Sequence, residues 1–338
     1  MFILRTKPPF YLIPILIIGL VIIGYSIAWH KASSVMEETI YSWISDQREN
    51  GMQVEHGDIK IHGFPFFLRA TISQPLLGDK ANWQWNSEEL NIDVLPYDFS
   101  KIILSPTGRQ KIELPALIAP YNRFEGEAET VRISIGKDKT RPWLGILAIS
   151  GAKLQNGDQS FIADFEKLLF NIAPNEEDDK TIAASLFLET INMAEKSENP
   201  VRSLSLGSAQ AALTLSHTDQ LSNETDLNQW AGAGGQLTLN RILLEDLPSQ
   251  FAAKGKLGID ADSYPSGIIQ TRLVKPTAFL TTLEGSGLLA KKDMDALSAG
   301  LALALLSGGG SIEKDLVFQN GAITVDGNKI VDLSRLNP

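Results

Sequence analysis

Four histidines, His30, His56, His62 and His217, and no cysteine set the first limits on what this chain can do. Without cysteine there is no thiolate nucleophile, no disulfide, and no zinc–thiolate or iron–sulfur site. His56, Asp58, Lys60 and His62 alternate in "HGDIKIH" and so share one face of an expected strand. At about 3.3 Å per residue the outer two histidines stand ~20 Å apart, too far to share a metal. "GSGLLA" at 285–290 has the G-x-G-x-x-A spacing of a dinucleotide turn, but an apparent helix precedes it where a strand is required. "DADSYP" at 260–265 opens like a calcium loop, yet Pro265 stands where the loop needs Gly, and Thr271 where it needs the closing Glu. There is no G-x-S-x-G, no P-loop and no H-E-x-x-H. These residues predict no catalytic, cofactor-binding or metal site, and a protein that is not an enzyme. Only a triad dispersed along the chain would escape such a search.

The densest cluster of one residue type is apolar. "IKIHGFPFFLRATISQPLL" at 59–77 crowds Phe64, Phe66 and Phe67 around Pro65, then alternates through Leu68, Ala70 and Ile72. Proline belongs at the beginning or edge of a strand. Phe64 and Phe66 on either side of it suit either a hydrophobic plug where a helix meets a sheet or the mouth of a lipid groove. Phe64, Pro65, Phe66, Phe67 and Leu68 are therefore candidate residues. Trp83 and Trp85 on the next apolar strand join them, as do Leu301 and Leu305 on a late apolar helix.

The elements that must position this cluster begin with "FYLIPILIIGLVIIGYSIAW", Phe10 to Trp29, which carries no charge. About twenty residues at 1.5 Å each cross the ~30 Å hydrocarbon core of a bilayer. Tyr11, Tyr25 and Trp29 lie where interfacial aromatics belong. The run is longer than a signal-peptide core and ends in bulky residues, with only "SIA" at 26–28 resembling a cleavage site. The expected organisation is a cytoplasmic tail at 1–9, a transmembrane helix at 10–29, an amphipathic helical stalk at 30–50 and a β-rich domain at 51–338 with a seam near 174–200. Arg5 and Lys7 put the N-terminus in the cytoplasm, and the rest beyond a bacterial inner membrane, in the periplasm. Along the stalk, Ala32, Val35, Met36, Thr39, Ile40, Trp43 and Ile44 form an apolar stripe, and Asn50-Gly51 supplies a stop.

After Gly51 the apolar period changes from helical to two. Leu90, Ile92 and Val94, then Val131, Ile133 and Ile135, Leu186 and Leu188, and Ile269, Thr271 and Leu273 are among many short alternating sets. "PTGR" at 106–109, "QNGD" at 155–158, "QNGA" at 319–322 and "VDGN" at 325–328 supply turns. The expected fold is mainly β, a β-rich α+β chain. A large curved antiparallel sheet or half-barrel follows the transmembrane helix, and a few helices near the C-terminus pack on its apolar face. Those helices are read at 275–285 and 291–310. Net charge of −10 argues against nucleic-acid partners.

"IHGFPFFLRATISQP" at 61–75, the tryptophan strand and "PYDFSKIIL" at 96–104 resemble the alphaproteobacterial membrane-anchored family of unknown function DUF2125, and the resemblance covers nearly the whole chain. It implies no activity and no catalytic residue. An inner-membrane helix followed by a long alternating β region is also similar, more distantly, to AsmA-like envelope proteins, which the resemblance links to lipid traffic. The leading expectation is a non-catalytic protein that binds phospholipid or another acyl lipid in an apolar groove and assists envelope or outer-membrane lipid handling. The alternative is an envelope scaffold with a filled core that meets other envelope proteins, and the third is a hydrolase with a dispersed site.

Overall fold

The computed structural model describes residues 12–79, 83–115, 123–137, 143–156, 161–176, 178, 180–194, 203–221, 227–246, 248–276 and 311–336. It opens on one continuous helix, α1 (Leu12–Glu49). The helix is long and apolar enough to cross a membrane, and its large apolar side chains from Ile15 to Ile23, and Ile27, are exposed along it. The stop is a left-handed Gly51. Met52 N–H donates to Gln47 O and Gly51 N–H to Arg48 O, both at 3.0 Å, a Schellman motif that satisfies the last carbonyls. The stalk stripe is narrower than its spacing suggests. Trp29, Met36 and Ile44 are buried, with Ala32 and Ile40 packed beside them, whereas Val35 and Trp43 are exposed.

The chain divides into two units, Met1–Gly108 and Arg109–Pro338. The described strands belong to one large sheet of 17 strands, and every pairing below is antiparallel. In the first unit, β1 (Gln53–Glu55), β2 (Ile59–His62), β3 (Leu68–Ser73) and β4 (Leu76–Asp79) are short. The long β5 (Trp83–Leu95) takes β3 and β4 end to end along one edge, with Leu68 opposite Val94 and Leu77 opposite Trp85. β2 pairs with β3, and β1 with β4. Alternation then dictates the core: Leu68, Ala70 and Val94 turn to one side and meet Trp29 and Met36 of α1. Full burial of a leucine such as Leu68, which is 0% exposed, contributes about 1.5–3 kcal/mol.

β6 (Asp98–Pro115) begins in the first unit and ends in the second. "PTGR" therefore lies inside a strand and is not a turn. Gly108 adopts φ 76° there, which bends the strand without ending it. The second unit is a meander in which each strand pairs with the next. Its strands are β7 (Arg123–Gly136), β8 (Leu144–Asn156), β9 (Phe161–Pro174), β10 (Ile182–Ala194), β11 (Ser203–Leu215), β12 (Leu237–Asp246), β13 (Ser249–Ile259), β14 (Pro265–Val274), β15 (Ser311–Gln319), β16 (Ala322–Val325) and β17 (Asn328–Asp332). The two final hairpins turn on Asn320-Gly321 and Asp326-Gly327, all four at positive φ, as a two-residue turn of the I′ kind requires. Between β11 and β12, the short α2 (Leu227–Gly232) buries Trp230, whose indole N–H donates to Ser216 O at 2.6 Å. The helices expected at 275–285 and 291–310 lie, beyond Pro276, outside the described residues.

One transverse row interrupts the second unit. The ladders skip Glu129 and Gly151, Gly151 and Glu166, Glu166 and Thr190, and Thr190 and Gly207, while the pairs on either side stay in register. Gly151 and Thr190 are left-handed, with φ 60° and 50°. The Thr190 hydroxyl donates to Glu166 Oε2 at 3.0 Å. The apolar period slips by one residue at this row: Leu147 and Ile149 give way to Ala152 and Leu154, Leu168 to Phe165, Leu188 to Ile191, and Ala209 to Leu206. Five adjacent strands, β7–β11, thus carry one shared irregularity, a row of unpaired residues that re-aims the side chains without shifting the register.

Candidate functional site

The phenylalanine cluster is the turn between β2 and β3, and the helix holds it by named contacts. Phe66 and Phe67 N–H both donate to Gly63 O, and Gly63 sits at φ 108°. A Cβ on Gly63 would lie 2.6 Å from the Phe67 ring, so no other residue fits. The Phe64-Pro65 peptide is cis. Trp29 indole N–H donates to Phe67 O at 3.2 Å, and the Tyr25 hydroxyl donates to Pro65 O. The Phe64 ring meets Trp29 edge-on at 5.5 Å and Tyr25 at 6.2 Å. Tyr25 and Trp29 are four residues apart, hence on one helix face. Arg69 lies 5.2 Å from the centre of the Phe67 ring. Its guanidinium grips Asp93 through two hydrogen bonds of 2.6 and 2.8 Å. Those bonds raise the Arg69 pKa above its ordinary value, against the opposing effect of burial.

The candidate residues fall into different places. Phe64, Pro65, Phe66, Phe67 and Leu68 stay together at the end of the sheet that meets Trp29. Trp83 and Trp85 lie at the other end of β5, beside Asp79 and Leu77. Trp83 is eleven residues from Val94, about 36 Å of extended strand, so the tryptophans belong to no common pocket with the phenylalanines. Leu301 and Leu305 lie outside the described residues. Two aromatics were not singled out individually by the sequence reading: Tyr97 and Phe99, at the β5–β6 turn and both exposed. Only the Leu68–Val94 register, which is not visible in the sequence, brings that turn to the end of the sheet that carries the phenylalanines.

The polar residues settle into structural roles. His56 and Asp58 precede β2, so they do not share a strand with His62; the His56 ring instead lies 6.1 Å from Tyr41. His62 hydrogen-bonds the Thr71 hydroxyl, which donates to Asn91 Oδ1, and Asn91 in turn donates to Glu89. Asp260 Oδ1 accepts the backbone N–H groups of Asp262 and Tyr264, closing the β13–β14 turn. "GSGLLA" lies outside the described residues. Among the described residues, no three His, Asp or Glu side chains are grouped to hold a metal.

The second unit presents an apolar surface. Cross-strand register lines up Ile149, Leu168, Leu188 and Ala209 in one row, and Leu147, Phe170, Leu186 and Ala211 in the next. All are half-buried. On the same face farther along, Ala253, Ile269 and Leu273 are buried. The β8–β11 part of this apolar face is therefore only partly covered. Two shallow depressions of about 380 and 240 Å³ also occur on these strands, lined by Ile146, Asn171, Ser185 and, in the smaller, Gln210 and Arg241. Register puts those residues on the opposite face, while Leu186 and Ala211 of the apolar rows also line the smaller depression and Ile172, Ala184 and Leu213 the larger.

Comparison with known families finds a match over residues 29–333 to the model described as "Uncharacterized protein conserved in bacteria (DUF2125)". No curated protein and no solved structure matches.

Proposed function

The chain belongs to this uncharacterized bacterial family, and from that premise we propose a membrane-anchored, non-catalytic lipid-handling protein of the cell envelope. Its β8–β11 apolar rows receive acyl chains. The observation that carries this reading is the half-buried state of Leu147, Ile149, Leu168, Phe170, Leu186 and Leu188 on one continuous face. Contiguous apolar surface left open on a folded chain marks an interaction site. An acyl chain fits a strip without hydrogen-bonding groups better than a polar ligand does, since burying an unpaired polar group is unfavourable by several kcal/mol at the upper end. Arg5 and Lys7 before the apolar run favour a cytoplasmic N-terminus, which leaves the sheet in the periplasm. Likeness to AsmA-like proteins belongs to this proposal too, through the long antiparallel sheet after a single helix.

The test uses the full chain in vesicles containing a phospholipid with a photoreactive group on its acyl chain. Irradiation followed by peptide mapping is expected to label β8–β11, and L168E combined with L186E is expected to reduce that label several-fold. Labelling confined to α1 would sink the lipid-groove reading.

A further inference from the structure

We infer that two loops of the first unit, Gly63–Phe67 and Leu95–Phe99, are seated in the interfacial layer of the same bilayer that α1 crosses, fixing this end of the sheet against the membrane surface. Pro65 O and Phe67 O accept hydrogen bonds from Tyr25 and Trp29. The loop therefore stands beside the last turn of the uncharged run, ahead of the first charged residue, Lys31. Tyr25 lies about 6 Å farther toward the N-terminus than Trp29 at 1.5 Å per residue. Ile22, Ile23 and Ile27 on the same stretch of helix are exposed, as residues that face acyl chains must be. A loop bound at this level enters the layer where tyrosine and tryptophan concentrate, about 5–10 Å into the headgroup boundary.

The loop side chains match that layer. Phe66 is 77% exposed, Phe64 is half exposed, and the ring of Phe64 lies across Tyr25 and Trp29. The second loop follows from register. Leu68 is opposite Val94, so the residues before Leu68 and those around the β5–β6 turn at Pro96-Tyr97 lie at one end of these strands. Those residues are Leu95, Tyr97 and Phe99, and all three are exposed, Tyr97 at 77%. Two turns side by side thus present phenylalanine and tyrosine rings outward next to a membrane-facing helix. Continuity with the exposed apolar face of α1 selects the occupant: the bilayer, not a soluble partner.

The absence of native cysteine makes the test direct. F66C, Y97C and E55C are each made singly in the full chain, spin-labelled and reconstituted into phosphatidylethanolamine–phosphatidylglycerol vesicles. Glu55 is the aqueous control, because β1 lies near the far end of α1, where Arg48 Nε donates to Val54 O. Labels at 66 and 97 are expected to collide with oxygen several-fold more than with a water-soluble nickel chelate, and the label at 55 to show the reverse. Nickel access at 66 or at 97 equal to that at 55 overturns the inference. The two loop positions are exposed, so replacing them leaves the core of Trp29, Met36, Leu68 and Val94 in place, and near-ultraviolet circular dichroism of each variant verifies this.

Discussion

Trp29 does three things with one side chain. It closes the core against Leu68 and Val94, meets the Phe64 ring edge-on and donates its indole N–H to Phe67 O. Trp29→Phe removes the donor and part of the ring volume and is expected to destabilise the first unit by about 1–2 kcal/mol, whereas Trp29→Ala, which empties the site, is expected to lose about 3–5 kcal/mol. Urea unfolding of the full chain in detergent micelles distinguishes the two. Asp178, between β9 and β10, is a second residue with a defined energetic sign. Its carboxylate accepts hydrogen bonds from the Thr181 hydroxyl at 2.7 Å and the Lys180 N–H at 3.0 Å. The Thr181 bond, then the Lys180 bond, holds its pKa below the ordinary aspartate value. A depressed folded pKa gives stabilisation that is complete above the unfolded aspartate value of about 3.9 and is lost as pH falls through the folded one. Amide exchange in the β9–β10 turn is therefore expected to accelerate only below that value, and D178N is expected to abolish the acid dependence.

At the scale of elements, the shared interruption of β7–β11 explains both a success and a failure of reading the chain. The final hairpins were legible because Asn320-Gly321 and Asp326-Gly327 sit between apolar sets of constant phase. Strand length was not. Alternation in β10 runs through Leu186 and Leu188 and resumes one residue late at Ile191, so one strand imitates two short ones. "PTGR" misleads for the same reason: a glycine that bends a strand and a glycine that ends one look alike locally. The phenylalanine turn stood out in the sequence as a cluster, with a helix–sheet plug and a groove mouth both open, and its neighbour Tyr97 depended on pairing between β3 and β5. Gly151 is where the interruption can be tested. A Cβ there would lie 2.5 Å from Glu129 Cδ, at φ 60°. Gly151→Ala is expected to destabilise the second unit by about 2 kcal/mol, combining backbone strain and overlap. In the Glu129→Ala background only the backbone part, about 1–2 kcal/mol, is expected to remain, and a double-mutant cycle by urea unfolding measures the difference.

For the molecule as a whole, the contrast that matters is how differently apolar residues are treated along one sheet. Next to α1 they are sealed, as Leu68 and Ala70 show; across β8–β11 they are left half open. A chain with 43% hydrophobic residues had no shortage of material for a filled interior, so the open strip reflects layout and not composition. The lipid-labelling and spin-label experiments address separate parts of that layout, and either can fail without the other. The row from Glu129 to Gly207 also constrains how such a protein can change over time. Because neighbouring ladders all skip at the same level, a single inserted or deleted residue within one strand would set its oily side chains out of step with both neighbours. Whole hairpins can be gained or lost at little risk, while individual strands resist editing, much as pleated cloth can be lengthened by whole panels but not by shifting one crease.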